Sequence, residues 1–173
     1  DAQESRGLGD VYKRQVYNKG RMIPCVLDNR ITGMTGHQDN PGTGYTLQGD
    51  PTALLSVEKI LTALGFAPVL TVDPQDLKAM KAAVDQAVSA LDAGQQPAIV
   101  TRRPCLLIKR DKFRKGMCHV NAEKCRGCRS CLRVGCPAIS MENGKAVIDR
   151  TQCVGCTVCA QVCPFDAIEK EEN

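Results

Sequence analysis

The sequences CRGCRSCLRVGCP at residues 125–137 and CVGCTVCAQVCP at residues 153–164 decide the fold of the C-terminal part of the chain. Each has three cysteines separated by two residues, and a fourth cysteine stands directly before a proline. The second copy begins 28 residues after the first, and an Ala-Ile pair follows each Cys-Pro pair. This repeat indicates one small unit built from two similar halves.

The cysteine spacing predicts two [4Fe–4S] clusters, because three closely stepped thiolates hold one side of a cubane while the fourth reaches the other cluster. The first motif has four residues rather than three before its last cysteine, and a local bulge can absorb the extra one. Two structural zinc sites are the alternative, although zinc ligands usually come as separated cysteine pairs. We predict that Cys125, Cys128, Cys131 and Cys163 ligate the first cluster, and that Cys153, Cys156, Cys159 and Cys136 ligate the second.

A hairpin is predicted between the two motifs, with its turn at Asn143-Gly144. So short a domain buries little apolar surface, and we expect it to depend on its metal for stability. Its small core is predicted to contain Ile139, Val147, Ile148 and Ile168.

Three of the 11 cysteines lie outside the motifs. Cys25 stands in a short apolar run and is expected to be a buried small residue. Cys105, Cys118 and His119 are the residues of a conceivable third metal site. Because the remaining cysteines have metal-ligand spacing, we expect reduced thiols and a cytoplasmic protein.

The overall composition narrows the class of protein. The chain has 173 residues, of which 43% are apolar and 24% charged, as in ordinary folded domains. No stretch approaches the ~20 consecutive apolar residues of a membrane span, so we expect no membrane contact. With three Phe, three Tyr and no Trp, the chain has few aromatic platforms for stacking bases, and nucleic acid is not an expected partner.

Positive charge is concentrated between Arg102 and Arg133. This window holds 11 Lys and Arg residues against two acids, Asp111 and Glu123. A solvated basic face is one interpretation. The other is a docking surface for an acidic partner or for phosphates.

Residues 16–104 alternate between strand and helix patterns, which predicts an α/β fold with a parallel sheet. Strands are predicted at 22–27, 68–72 and 98–100. Helices are predicted to begin at Asp50-Pro51 and Asp73-Pro74 and to end at Gly65 and Gly94. Their buried faces are predicted to carry Leu54, Val57, Leu61 and Leu64 in one helix and Leu77, Met80, Val84, Val88 and Leu91 in the other.

A long polar loop, residues 28–49, follows the carboxyl end of the first predicted strand, which is where ligands bind in such sheets. Its first part, DNRITGMTGHQ at residues 28–38, resembles the diphosphate-and-metal loop of thiamine-diphosphate enzymes. The chain is most similar to the alpha subunit of indolepyruvate:ferredoxin oxidoreductases, also through Arg102-Arg103-Pro104-Cys105 and the cysteine motifs. By itself, the loop is equally compatible with an ordinary structural loop.

The resemblance implies roles for residues of this loop. Asn29 would give its side-chain oxygen and Ile31 its carbonyl oxygen to Mg²⁺, which prefers such hard ligands. His37 would contact cofactor or substrate, or be a structural loop residue. No catalytic residue is identified. The residues implied to approach the phosphates are Thr32, Gly33 and Thr35.

The resemblance also implies a domain order. A partial parallel-sheet thiamine-diphosphate-binding domain would occupy residues 16–104, followed by a linker at 105–120 and a small α+β dicluster ferredoxin-like domain at 121–173. The implied reaction is oxidative decarboxylation of aryl 2-oxo acids such as indolepyruvate. CoA would take the acyl group, an external ferredoxin the electrons, and a beta subunit would complete the enzyme.

Two features limit what the segment is expected to do alone. The Gly-Asp pair that precedes the loop in this family has no counterpart at the expected distance, so we expect weak thiamine diphosphate binding and no turnover. Residues 1–15, DAQESRGLGDVYKRQ, show no clear helical or strand period and resemble a translated sequencing-adapter remnant. We therefore expect them to be non-native and outside the fold.

Two rival functions remain open. One is a stand-alone dicluster ferredoxin-type electron carrier fused to an inert α/β domain. The other is a related 2-oxo acid oxidoreductase with a different substrate. The Asn29 loop argues against a pure carrier, because such a protein has no use for a metal–diphosphate site.

Overall fold

The computed structural model describes residues 7–33, 38–106, 108 and 116–171, with the backbone alone at residues 7–11. The chain divides into two compact units, the first ending at Cys105 and the second beginning at Leu106. Within the described ranges, no helix is long and apolar enough to cross a membrane. Thr35, His37 and the basic residues at 109–115 lie outside the described residues.

A three-stranded parallel sheet forms the centre of the first unit, which confirms the predicted strands and their direction. Its strands are β1 (Cys25–Asp28), β2 (Val69–Val72) and β3 (Ala98–Arg102), and β3 lies between the other two. Because β3 has a neighbour on each side, its first four residues are all buried. The chain after β1 and after β3 therefore leaves the same edge of the sheet.

The first strand is less buried than predicted. β1 lies at the edge of the sheet and pairs only with β3. Cys25 is exposed, so the prediction of a buried residue is wrong. Leu27, on the same side of the strand, is 78% exposed.

Both predicted helices exist, but they begin later than their Asp-Pro signals. Helix α2 (Val57–Ala63) starts after Ser56, whose hydroxyl accepts the N–H of Lys59 at 3.2 Å. Helix α3 (Leu77–Asp92) starts after Asp76, whose carboxylate accepts the N–H of Ala79 at 2.9 Å. At Asp73 the carboxylate instead accepts the N–H of Gln75, so it makes a local turn and leaves capping to Asp76.

The predicted buried face of α3 is right for Met80, which packs against the core, and wrong for three of its other residues. Ala87 is fully buried and Ala90 nearly so, whereas Leu77, Val84 and Val88 are exposed. Small side chains let the helix backbone approach the sheet closely, so the alanines occupy the contact with β2 and β3. In α2 the prediction holds for Leu61, which is buried, and is wrong for Leu54, which lies before the helix and is half exposed.

Part of the N-terminal segment is ordered, contrary to expectation. Helix α1 spans Gly7–Tyr17. The ring of Tyr12 packs edge-on against the buried ring of Phe66, with a centroid distance of 6.1 Å. From Gly7 onward, the expectation that residues 1–15 lie outside the fold is therefore wrong. The contact of Tyr12 with the distant Phe66 stabilises this helix, although the local sequence shows no clear helical period.

The second unit contains two small antiparallel sheets, a 3-10 helix at Ser130–Val134 and a short helix α4 (Val158–Gln161). Strand β4 (Cys118–Val120) pairs with β7 (Ile168–Lys170), and β5 (Ile139–Glu142) pairs with β6 (Lys145–Ile148). The predicted hairpin turn is confirmed, with left-handed backbone at Asn143 and Gly144. Strand β4 lies inside the segment predicted as a linker, so ordered structure begins before residue 121.

A small core fills the second unit. Ile139, Ile148 and Ile168 are buried, as predicted. Ala146 takes the buried position in β6 that was predicted for Val147, because alternate residues of a strand face opposite sides. Four cysteines complete this core: Cys118, Cys125, Cys131 and Cys159.

Candidate functional site

The cysteine repeat is also a repeat of backbone conformation. Gly127 and Gly155 have φ values of 66° and 69°. Arg129 and Thr157 follow the second cysteine of each motif, and both have a φ of 63°. Left-handed backbone at a residue other than glycine costs about 1 kcal/mol or more and tends to persist at functional sites. The backbone between the cysteines therefore makes the same turn in both motifs.

The four cysteines predicted for the first cluster line one cavity of about 330 Å³, part of it open to solvent. Exposed Arg126, Arg129 and Phe165 also line it, and Ala146 and Ile168 form part of its buried wall. The thiol of Cys131 has its pKa raised by burial and further by its three neighbours. These neighbours are Cys163, Cys125 and Cys128.

Backbone N–H groups point at the sulfurs of this first set. Ala146 donates to Sγ of Cys125 at 3.5 Å, and Ala167 donates to Sγ of Cys163 at 3.4 Å. The N–H groups of Ala146 and Gly127, with the nearby Lys145 ammonium, lower the pKa of Cys125. Such donors stabilise thiolate, which is the form that binds iron.

Three cysteines of the second motif also come together, and a fourth joins them from outside it. Burial and the neighbouring Cys118, Cys156 and Cys153 raise the pKa of Cys159 to about 12. The backbone N–H of Cys118 donates to Sγ of Cys153 at 3.4 Å. The two cysteine motifs do not include Cys118, and no local signal distinguishes it.

Cys136, the predicted fourth ligand of the second cluster, is partly buried against the same core. Its carbonyl oxygen accepts the N–H of Ile139 at 3.2 Å. Among the described residues, no hydrogen bond joins its thiol to another cysteine. Its ligand role therefore remains a prediction.

The conceivable third metal site divides between the two units. Cys105 belongs to the first, where its N–H donates to the carbonyl of Asn29 at 2.9 Å. His119 belongs to the second, with Nε2 at 3.5 Å from a carboxylate oxygen of Glu169. In the part of the chain that is described, no three His, Cys, Asp or Glu side chains converge closely enough to hold a single metal ion.

The Asn29 loop leaves the carboxyl end of β1, as the sequence predicts. Oδ1 of Asn29 accepts the N–H of Ile31 at 3.1 Å, which folds the chain into a tight turn. Two backbone hydrogen bonds between Thr32 and Gln38, of 3.0 and 3.1 Å, close the loop. Gly33 lies beside the Asn29 side chain. An amide oxygen and nearby backbone carbonyls are the donor types that fit Mg²⁺.

A network of charged side chains contacts the base of this loop, and no sequence pattern predicted it. Arg102, at the end of β3, contacts Asp28 at 2.8 Å and Glu58 at 2.6 Å. The hydrogen bond from Arg102 lowers the pKa of Glu58 to about 2. Asp28 also accepts the backbone N–H of Arg30 at 3.1 Å. Three segments distant in sequence meet here, which no local pattern reveals.

The predicted basic window is not one uniform free surface. Arg102 and Arg103 are held in ion pairs with acids of the first unit. Lys124 pairs with Glu169 at 2.6 Å. Arg126 and Arg129 are exposed beside the first cysteine set.

Each of the two units contains a segment that matches the model of a known protein family. Residues 12–101 match the family model of the thiamine pyrophosphate enzyme, C-terminal TPP binding domain. The chain belongs to this thiamine pyrophosphate enzyme family. Residues 146–169 match the 4Fe-4S binding domain. The two matches confirm the predicted cofactor classes, thiamine diphosphate and [4Fe–4S] clusters.

Two of the curated relatives resemble the chain over nearly its whole length, and a third resembles a shorter part of it. The indolepyruvate oxidoreductase subunit IorA of Pyrococcus abyssi is 40% identical over 163 residues, covering 90% of this chain and 24% of the relative. That of Thermococcus kodakarensis is 42% identical over 162 residues, covering 89% and 24%. The putative electron transport protein YsaA of Escherichia coli is 39% identical over 70 residues, covering 38% and 44%.

These relatives confirm the resemblance drawn from the motifs. The chain spans about a quarter of the length of the IorA relatives. The match to the thiamine pyrophosphate family begins at residue 12, inside the segment expected to be non-native.

Proposed function

We propose that this chain is a segment of a 2-oxo acid:ferredoxin oxidoreductase that helps to hold thiamine diphosphate and passes electrons through two [4Fe–4S] clusters. One observation carries the proposal: a thiamine pyrophosphate unit and two sets of clustered cysteines occur in a single chain. A protein that only carried electrons would need the second unit alone.

In this proposal the cysteines act as ligands. Cys125, Cys128, Cys131 and Cys163 hold the first cluster, and Cys153, Cys156, Cys159 and Cys136 hold the second. The cavity of the first set and the N–H donors aimed at its sulfurs support this assignment. Two clusters in one small unit give electrons a short path, and each N–H donor stabilises the reduced form of its cluster.

The Asn29 loop is proposed to bind the diphosphate and its Mg²⁺. When bound, thiamine diphosphate supplies the carbanion chemistry for decarboxylation. Asn29 and Ile31 offer oxygen ligands, while Thr32, Gly33 and Thr35 approach the phosphates. The ion pairs of Arg102 with Asp28 and Glu58 hold the base of the loop in position. They also occupy the Asp28 carboxylate, so we do not assign Asp28 to the metal.

The names of the relatives support an indolepyruvate-type substrate and the presence of a partner subunit. We propose that the complete enzyme oxidises aryl pyruvates such as indolepyruvate to acyl-CoA and reduces ferredoxin. A beta subunit completes it, and the enzyme works in the cytoplasm. Residues 1–15 stay proposed as non-native, and both helix α1 and the family match from residue 12 weigh against this proposal. A gene assembled at full coverage that reads unbroken through codons 1–15 would contradict that proposal.

A stand-alone electron carrier is the second candidate function. The match to YsaA, which is named a putative electron transport protein, favours it. The two candidates share the clusters and differ in the use of the Asn29 loop.

Iron and sulfide analysis tests the cluster assignment. After anaerobic reconstitution the chain should bind about eight iron and about eight acid-labile sulfide, the content of two cubanes. Bound zinc in place of iron, or iron for one cluster only, would refute the proposal. To separate the two candidate functions, Asn29→Ala is compared in the complete enzyme with the control Asn18→Ala, which changes an exposed residue outside the loop. Only Asn29→Ala should weaken thiamine diphosphate binding, and both should keep their clusters.

A further inference from the structure

The two cysteine motifs differ in charge, although their backbones agree. Arg126 and Arg129 follow the first and second cysteines of the first motif, and Val154 and Thr157 occupy the same places in the second. Arg129 and Thr157 share a φ of 63°. Because an uncharged residue makes the same turn in the second motif, the turn itself does not require an arginine. The charges of the first motif therefore call for another explanation.

Both arginines present their charge to solvent. Arg126 and Arg129 are exposed, and both line the cavity of the first cysteine set. Among the residues that the structure describes, neither has a carboxylate partner, whereas Lys124 is paired with Glu169 at 2.6 Å. Two guanidinium groups beside this cavity are thus available to an acidic partner.

The first cysteine set is also the more accessible of the two. Cys128 is exposed, whereas its counterpart Cys156 is partly buried. Gly127 is partly buried, whereas its counterpart Gly155 is buried. The ring of Phe165 is 44% exposed and lines the same cavity as the arginines. Arginine and aromatic side chains are enriched at protein interfaces. Because electron transfer weakens steeply with distance, a docked partner exchanges electrons with the more accessible centre.

We propose that electrons leave this chain through the first cluster, and that Arg126 and Arg129 form the surface on which an acidic one-electron carrier protein docks. This rests on the proposed assignment of two [4Fe–4S] clusters. In the exit step the reduced first cluster loses one electron, and the oxidised centre of the carrier gains it. The second cluster then supplies the next electron to the first. No bond forms or breaks, and no proton is transferred.

Exchanging residues between the two motifs tests this proposal, because each motif shows which side chains the turn accepts. The variant Arg126→Val, Arg129→Thr gives the first motif the residues of the second. A fourfold variant adds Val154→Arg and Thr157→Arg, which restores the net charge but places it beside the second cysteine set. Each reconstituted chain is reduced with dithionite. Stopped-flow spectroscopy then follows its oxidation by an acidic ferredoxin at low and at high salt.

The first variant should react about tenfold more slowly at low salt and lose most of its salt dependence, because the charges that steer the carrier are gone. The fourfold variant should stay as slow as the first variant, although its net charge equals that of the unaltered chain. Iron content of about eight in every variant shows that both clusters are in place. Should the fourfold variant bind less iron, the exposed Gln161 carries the moved charge as Gln161→Arg, together with Thr157→Arg.

The outcomes separate the docking surface from the cluster assignment. If the unaltered chain binds zinc or only about four iron, the two-cluster assignment fails, and this proposal fails with it. If about eight iron are bound and the first variant reacts as fast as the unaltered chain, the docking proposal alone is wrong. It is also wrong if the variant with moved charges recovers the rate, since net charge and not its place beside the first cluster would then govern docking.

Discussion

Gly127 and Gly155 stand at the same place in the two cysteine motifs and share one left-handed backbone conformation, with φ values of 66° and 69°. A Cβ atom added to Gly127 would overlap the carbonyl oxygen of Gly144 in the hairpin turn. The first cysteine loop and the hairpin are therefore packed backbone against backbone. Only glycine fits at such a contact.

Replacing Gly127 by alanine should consequently damage the first cluster. The new methyl group must push the hairpin turn away and with it Ala146, which donates to Sγ of Cys125. We expect iron content to fall toward that of one cluster, as measured after reconstitution. Gly135→Ala is the matched control, because its φ is also left-handed but nothing lies near its added Cβ. Equal iron loss in both variants would mean that φ strain, not the contact, matters.

The burial of Ala87 gives a second test, which asks which face of α3 packs against the sheet. Ala87→Leu adds volume to a fully buried position against the sheet and should cost about 1–3 kcal/mol of unfolding free energy. Val88→Leu changes the neighbouring exposed position and should stay within about 0.5 kcal/mol. Denaturant titration of the full chain measures both. If Val88→Leu were the more costly change, the originally predicted face would be the buried one.

The contact between Tyr12 and Phe66 gives a third test, of the N-terminal helix. Tyr12→Ala should lower the unfolding free energy of the first unit, because it removes an aromatic pair worth about 0.5–1.5 kcal/mol beyond the buried area. Tyr17→Ala should have little effect, since that ring is 85% exposed. Urea titration followed by hydrogen exchange in β3 reports on this unit. Indistinguishable variants would place residues 1–15 outside the stable fold.

The ion pair between Glu58 and Arg102 makes stability depend on pH. The pKa of Glu58 is about 2 in the folded chain against 4.5 ordinarily. A depressed carboxyl pKa stabilises the fold above the unfolded value and loses that effect as pH falls from about 4.5 toward 2. We expect the opening free energy of β3 amides, measured by hydrogen exchange, to drop over this range.

Glu58→Gln should flatten that pH dependence, because glutamine does not titrate. The control is Asp85→Asn, which removes an exposed ion pair of α3 with Lys81 and should leave the profile unchanged. A profile that Glu58→Gln leaves as steep as before would show that other carboxylates govern acid sensitivity in this unit.

The exposed arginines beside the first cysteine set predict a salt-dependent electron transfer. If they dock an acidic ferredoxin, the double variant Arg126→Glu, Arg129→Glu should lower the rate at which ferredoxin associates with the complete enzyme. Rising salt should also slow electron transfer from the unaltered enzyme, because it screens the charges. Arg150→Glu changes an exposed charge of the same unit outside the window and serves as control. Electron-transfer rates that do not depend on ionic strength would show that these arginines are solvent-exposed charges with no role in docking.

Local patterns in the sequence were sufficient for the three strands of the first unit, their parallel direction and the hairpin of the second unit. Each of these rests on residues close in sequence or on a repeat that can be counted. The grouping of the cysteines into ligand sets stays a prediction. Helix starts were less certain, because Asp50, Ser56, Asp73 and Asp76 all carry capping side chains. Which one caps depends on the hydrogen bonds that the surrounding turn already uses.

Tertiary structure alone decided the remaining features. The buried face of α3 depends on how closely its alanines approach the sheet, and apolar side chains on the other face do not reveal this. Arg102, Asp28 and Glu58 meet only when three segments are folded together. The same holds for Cys118, which reaches the second cysteine motif because β4 pairs with β7, 48 or more residues away. Cysteine spacing predicts the ligands within a motif. It does not reveal Cys118, because the pairing of β4 with β7 sets the position of that residue.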